Sequence, residues 1–363
     1  MNVLGWAIAI AAIVCVAVRP GASLAAVGRG TDVYLFLAGM MGLAGYAQIT
    51  GIFDWVAGRA VRIAGTSRLH LFALVYGAGI LTTALFSNDA TIVVLTPAVI
   101  GALKRYDASP IPYVVACALI ANAASFLLPI SNPSNLLVFA GRMPPLGGWL
   151  ATFALPSVAA IAVTFAIAVF FYRSELRGTA AQPERGDDAR PQLLPALLLA
   201  AAAIAIVTTS ALAGPLGAAT FACAAAAVLI TLVTNRSGAA AIVRDISWSV
   251  ILLTAALFAI LSALDNLGGF EVTRAALAWC AQQSAPWSAL ATGFLTAIAS
   301  NALNNLPVGL NLGETLPAMH ATTATAAAAL VGVNLGPNAT VNGSLATLLW
   351  LTILRKADIS VSW

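Results

Sequence analysis

The chain reads as long apolar runs broken by short polar knots. Apolar stretches occupy residues 3–18, 33–53, 71–103, 111–139, 150–172, 193–212, 216–233, 250–267, 289–312 and 322–354. A bilayer core of about 30 Å needs about 20 apolar residues of helix, so most of these runs are crossing helices or close to that length. Two segments differ. Residues 54–70 carry Arg59, Arg62 and Arg68 among apolar positions, and residues 272–283 are weakly amphipathic; both suit helices lying at the interface.

The knots inside the apolar runs carry the chemistry. Ser87, Asn88 and Asp89 interrupt residues 71–103 and leave arms of roughly 15 residues, short for full crossings, so a re-entrant hairpin is expected there. In residues 111–139 the sequence LPISNPSNLL places Pro129 and Pro133 where the backbone ladder must fail, with Asn132, Ser134 and Asn135 able to satisfy the freed groups. That is a broken transmembrane helix. The second half repeats the plan: a hairpin at 289–312 with Asn304 and Asn305 at its tip, then a helix at 322–354 broken by LGPNATVNGS, which holds Asn338, Asn342 and Ser344.

Residues 173–191 form a polar linker between a first repeat, 1–172, and a second, 192–363. Gly51 to Phe53 in the first repeat matches Gly268 to Phe270 in the second; the tips pair either Ser87-Asn88 with Ser300-Asn301 or Asn88-Asp89 with Asn304-Asn305, and the second is expected because an apolar stretch and a Pro follow each. By this plan the first repeat lacks a span before residue 33, and the second lacks the final span corresponding to 150–172. Threading the spans puts thirteen Lys and Arg residues on one side, including the linker, and four on the other. The richer side, and with it the linker, is therefore expected to be cytoplasmic. The two hairpins then enter from opposite faces. The expected fold is an all-α polytopic membrane protein made of inverted repeats, each with a re-entrant hairpin and a broken transmembrane helix.

Composition narrows the function. With 61% hydrophobic and 8% charged residues and a mean hydropathy of +0.94, the chain is far from a soluble domain. Its net charge of +4 is spread over short loops, which gives nucleic acid no footprint. The four cysteines stand alone, so neither a metal site nor a disulfide framework is expected. No nucleophile or zinc-protease motif is present, so no catalytic residue or cofactor is expected. Asp265 and Glu314 lie near span ends and are expected to be solvated.

Broken helices present free N–H groups and carbonyls at the membrane midplane, where two hairpin tips and two breaks can enclose one site. Its lining is expected to be Ser87, Asn88, Asp89, Asn132, Ser134, Asn135, Asn304, Asn305, Asn338, Asn342 and Ser344. A carboxylate at that depth costs about 2.5 to 3.5 kcal/mol on insertion scales, so Asp89 is read as the carrier of a proton or coupling ion. With neutral amides, one carboxylate and no Lys or Arg, the site suits a neutral or weakly ionised polyhydroxy solute. A sodium- or proton-coupled permease for small anions is the alternative, its anion entering with cations.

The stretches FSNDATIVVLTP, LNNLP at 303–307 and VNLGPNATVNGSLATLLWLTILRK at 333–356 resemble the arsenite/antimonite efflux permeases of the ArsB type, within the ion-transporter superfamily. The resemblance covers the chain from about residue 33 onward. It implies a scaffold and transport domain built from inverted repeats. It also implies extrusion of arsenite or antimonite across a bacterial inner membrane, by proton exchange or with an ATPase subunit of the ArsA type. Carried onto this chain, its matched positions are Asn88, Asp89, Asn304, Asn305, Gly336, Pro337, Gly343 and Ser344.

Overall fold

A computed structural model describes residues 3–104, 106, 108–139, 142–180 and 193–361. Most of the linker, at 181–191, lies outside the described residues. The described part of the linker folds back on the chain: Ala180 N–H donates to the Thr66 carbonyl at 2.9 Å, beside an isolated bridge between Ser67 and Thr179. Among the described residues there are helices and no strand, so the protein is an all-α polytopic membrane protein.

The first half runs through helices Val3–Val18, Pro20–Arg29, Thr31–Ile49, Ile52–Ala64 and Arg68–Ala90. The last continues through a π turn, Thr91–Leu95, into Thr96–Leu103; then come Ile111–Ala123, Pro129–Ser131, Pro133–Val138 and Leu146–Phe171. The second half opens with Leu193–Ala211 and then follows the same series: Leu216–Thr234, Arg236–Asp245, Trp248–Asn266, Glu271–Ala281, Ala285–Leu303 and Asn305–Ala318. It closes with Thr323–Leu335, Gly336–Asn338, Val341–Gly343 and Leu345–Lys356. Five described helices are long and apolar enough to cross a membrane, and the pair Thr31–Ile49 and Ile52–Ala64, bent by 61°, makes a sixth if taken as one span. Arg68–Leu103 counts among the five as 36 residues of helix with an irregular corner at Ser87.

The parallel between the halves extends to backbone angles. Thr31–Ile49 and Trp248–Asn266 are both 19 residues long, and each is followed by a glycine in the left-handed region, Gly51 at φ 67° and Gly268 at φ 78°. A residue with a Cβ pays for that conformation, which is why both sharp bends use glycine. Ile111–Ala123 and Thr323–Leu335 are both 13 residues and both end at a break.

Elements of one half pack against the other. Thr31–Ile49 lies along Leu216–Thr234, Val3–Val18 along Trp248–Asn266, and Pro133–Val138 along Asn305–Ala318. Gly39 permits the first of these contacts, since a Cβ there would come within 2.5 Å of the Phe221 backbone nitrogen. Small residues at such crossings let helix backbones approach where lipid offers no hydrophobic drive between helices. Asp32 Oδ1 accepts from Gly217 N–H at 2.9 Å and so satisfies a free donor at the start of Leu216–Thr234. Trp149, Trp350, Tyr113, Phe36 and Phe72 are fully buried, whereas Leu155, Phe171, Ile204, Leu252 and Phe294 point outward, as a lipid-facing surface requires. Asp265 and Glu314 are not merely solvated, as expected. Arg274 donates to Asp265 at 2.5 Å and to Glu271 at 2.7 Å, and Arg29 to Glu314 at 3.2 Å.

Candidate functional site

The tips are built alike. Ser87 has φ 78° and ψ 162°, and Asn304 has φ 79° and ψ 150°. Both are non-glycine residues held at positive φ inside otherwise helical chain, a costly conformation that clusters at functional sites. Asn304 holds its corner by side-chain bonds. Its Oδ1 accepts from Leu306 N–H at 3.3 Å, and its Nδ2 donates to the Asn342 carbonyl at 3.1 Å.

These angles correct the expected pairing of the tips. Ser87 corresponds to Asn304, Asn88 to Asn305 and Asp89 to Leu306, one residue away from the pairing of Asn88-Asp89 with Asn304-Asn305. The identity of the residues suggested one register; the corner, which only one residue can occupy in each tip, sets the other. The acid therefore faces a leucine at its counterpart position.

The breaks are also alike. Asn132 is extended at φ −155°, and its Oδ1 accepts from Ser134 N–H at 2.9 Å to cap Pro133–Val138. Ser344 is extended at φ −142°, and its Oγ accepts from Thr347 N–H at 3.1 Å to cap Leu345–Lys356. Such caps replace the intrahelical partner that the first turn lacks.

A tight cavity lies where the tips and breaks meet, lined by Asn88, Asp89, Asn132, Pro133, Asn305, Leu306, Leu345 and Ala346, with Leu37 and Val250. Its open space is on the order of a single water molecule. Asn88 and Asn305 are 2% and 3% exposed, and the Oδ1 of each is buried without a hydrogen-bond partner. Beside it a larger recess, lined by Ser87, Asp89, Met40, Met41 and Gln48, runs to Asp245 and Ser247. Asp89 is half-buried and borders both spaces. Among the described residues no Lys or Arg lines either of them.

The remaining expected residues sit behind this cavity or away from it. Asn135 Nδ2 donates to the carbonyls of Ser125, Leu128 and Pro129, binding the first break from within. The Ser134 hydroxyl is buried and unpaired. Asn338 is tied to Asn122 and to the Leu119 carbonyl. The Asn342 side chain is exposed, and this residue contributes its carbonyl to Asn304 instead.

Four polar residues outside the expected set hold the site together. Asn301 Nδ2 donates to the carbonyls of Ala297 and Gly336, both at 2.8 Å, and its Oδ1 accepts from the Thr340 hydroxyl at 2.6 Å. Asn122 Nδ2 donates to Asn338 Oδ1 at 2.9 Å. Asn334 accepts from Asn132 Nδ2 at 2.7 Å and donates to Asn135 Oδ1 at 3.0 Å. Each is an amide or hydroxyl within an apolar run near a break, which is the signal that could have singled them out.

The family model described as citrate transporter, CitMHS, matches residues 2–335, most of the chain. The chain belongs to this family. As a member of the citrate transporter family it is a membrane transporter and not an enzyme. It is 30% identical over 336 residues to the arsenical pump membrane protein of Yersinia enterocolitica, covering 86% of this chain and 76% of that protein. Arsenical pump membrane proteins of Escherichia coli are similar at 30% identity over 346 residues and, in strain K12, at 28% over 351, with the same coverage of both chains.

Proposed function

We propose that this transporter extrudes arsenite or antimonite across the bacterial inner membrane in exchange for protons. The observation that carries the reading is the pair of unsatisfied buried amide oxygens, Asn88 Oδ1 and Asn305 Oδ1, set in one cavity with a single carboxylate and no basic residue. Arsenite and antimonite are neutral trihydroxides near pH 7. Once the tips part to admit a solute larger than one water, the O–H groups of the trihydroxide would donate to the two amide oxygens, and Asp89 would accept the proton that exchanges with the solute. Cysteine thiolates, which hold trivalent arsenic tightly, are absent from the cavity lining. The similarity to arsenical pump membrane proteins supports the choice of solute.

In this reading the two halves are inverted repeats, each with a re-entrant hairpin ending at Ser87 or Asn304, and their tips meet at the membrane midplane. The linker is cytoplasmic, so the recess between Asp89 and Asp245 is the cytoplasmic approach. Lipid surrounds the outward apolar helices, and an ATPase subunit of the ArsA type is an optional partner. The test is growth of an arsenite-sensitive bacterial host expressing this chain or its Asp89→Asn variant. Restored resistance with the parent chain and none with the variant, at equal membrane abundance, supports the proposal. Equal sensitivity of host and parent chain would contradict it.

The family's description as citrate transporter favours a second reading, a permease for small anions coupled to sodium or protons. Sodium-dependent citrate uptake that arsenite leaves unchanged would select it.

A further inference from the structure

Asn122 and Asn334 occupy matching places, each the next-to-last residue of the 13-residue helix that runs into its half's break. Neither side chain bonds to its own half's break among the described residues. Asn122 crosses to the second half, where its Nδ2 donates to Asn338 Oδ1, while Asn338 Nδ2 returns to the Leu119 carbonyl at 3.3 Å. Asn334 crosses to the first half and bridges Asn132 and Asn135, accepting from one and donating to the other. All of Asn122, Asn132, Asn135 and Asn334 are buried, with Asn135 and Asn334 fully so.

From this crossing we infer that Asn122 and Asn334 are reciprocal positioning residues: each fixes the shape of the break in the opposite half. Asn132 shows why this matters to the site. Its Oδ1 caps Pro133–Val138 and its Nδ2 is held by Asn334, so both its polar atoms are committed and its place in the cavity wall is set from the other half. The second break is gripped by Asn301 and Asn304 from its own hairpin and by Asn122 from the opposite half. Ser131 plays the own-half part in the first break, its Oγ donating to the Ala84 carbonyl at 3.3 Å. Buried amide pairs in a low-dielectric interior leave strong penalties when one partner is lost. Each break is therefore held from the opposite half, and a change in one half's asparagine is felt in the other half's break. The inference takes from the proposed function only that the cavity is the transport site.

Hydrogen exchange of the purified full chain in detergent, read by mass spectrometry, tests this without any substrate. Asn334→Leu is expected to speed amide exchange at least about tenfold in residues 124–135 and to leave 336–344 near the parent rate, because it removes two buried hydrogen bonds. Asn122→Leu is expected to do the reverse. Asn334→Ser, a smaller change, covers the case in which Leu prevents folding, and is expected to give the same pattern at smaller amplitude. Faster exchange confined to the break of the substituted residue's own half, or spread evenly over the chain, would overturn the inference. In proteoliposomes the same variants are expected to raise the KM for arsenite at least fivefold while maximal flux falls less than twofold. A fall in maximal flux alone would assign them a merely structural role. Absence of arsenite flux from the parent chain would overturn the proposed function while leaving the exchange result to stand.

Discussion

Asn88 and Asn305 hold corresponding places after the two tip corners and line one cavity from opposite halves, each with a buried amide oxygen that no group among the described residues satisfies. A buried unsatisfied acceptor costs about 1 to 3 kcal/mol, and this protein carries one on each side of the same small space. Ser87 and Asn304, immediately before them, add backbone strain of the same order. An unsatisfied acceptor and a strained corner on each side of one small space mark a place where a ligand would supply the missing partners.

Replacing either amide should separate stability from function. Asn305→Ala and Asn88→Ala remove an unsatisfied acceptor, so thermal unfolding in detergent is expected to stay within about 1 kcal/mol of the parent or move upward. Arsenite flux in proteoliposomes is expected to drop at least tenfold. A loss of stability above about 2 kcal/mol in both variants would mean that the amides are structural.

The last described helix should depend on a single tryptophan. Trp350 is fully buried, and its Nε1 donates to the Val114 carbonyl at 2.9 Å, joining Leu345–Lys356 to Ile111–Ala123. Trp350→Ala is expected to cost about 3 to 5 kcal/mol, and Trp350→Phe about 1 to 2, because Phe keeps much of the packing but loses the indole hydrogen bond. Thermal unfolding of both variants checks the order.

Helix approach at the second break should tolerate no added methyl. A Cβ on Gly336 would lie 2.7 Å from the Ala297 Cα, and the Gly336 carbonyl is also the acceptor for Asn301. Gly336→Ala is expected to destabilise by about 1 to 3 kcal/mol. It should also loosen the Asn301 bond, read as faster exchange in residues 336–340.

The Arg29 and Glu314 pair should matter little to stability. Both side chains are about half exposed, at 54% and 41%, so solvent and salt screen their attraction. Glu314→Gln is expected to change unfolding free energy by less than about 1 kcal/mol, with the difference shrinking further in high salt. A larger effect that persists in salt would require a role beyond this ion pair.

Much of the fold was legible because its signals are local. Apolar run length located most of the helices, and Pro129, Pro133 and Pro337 marked the breaks within a few residues, since a missing N–H cannot be disguised by context. Ser87, Asn88 and Asp89 announced the first tip because three polar side chains in a membrane run have few other uses. The register between tips was not legible. It depends on which residue takes positive φ, and Asn304 and Asn305 are equally able to do so from sequence alone. Asn122 and Asn334 carry no such signal, because an isolated asparagine in an apolar helix looks like any interhelical tie, and Asn301 reads only as a possible tip residue beside Ser300. Only the crossing of the chain reveals that they grip the breaks.

The most direct test of the central claim uses purified protein in proteoliposomes with an imposed pH gradient, arsenic inside being measured by mass spectrometry. Arsenite should accumulate in the parent vesicles in the direction opposed to proton flow, and collapse of the gradient should abolish the accumulation. Asp89→Asn vesicles should accumulate none above empty liposomes. Gradient-driven accumulation by the Asp89→Asn protein equal to the parent, or no accumulation by the parent chain, would contradict the account.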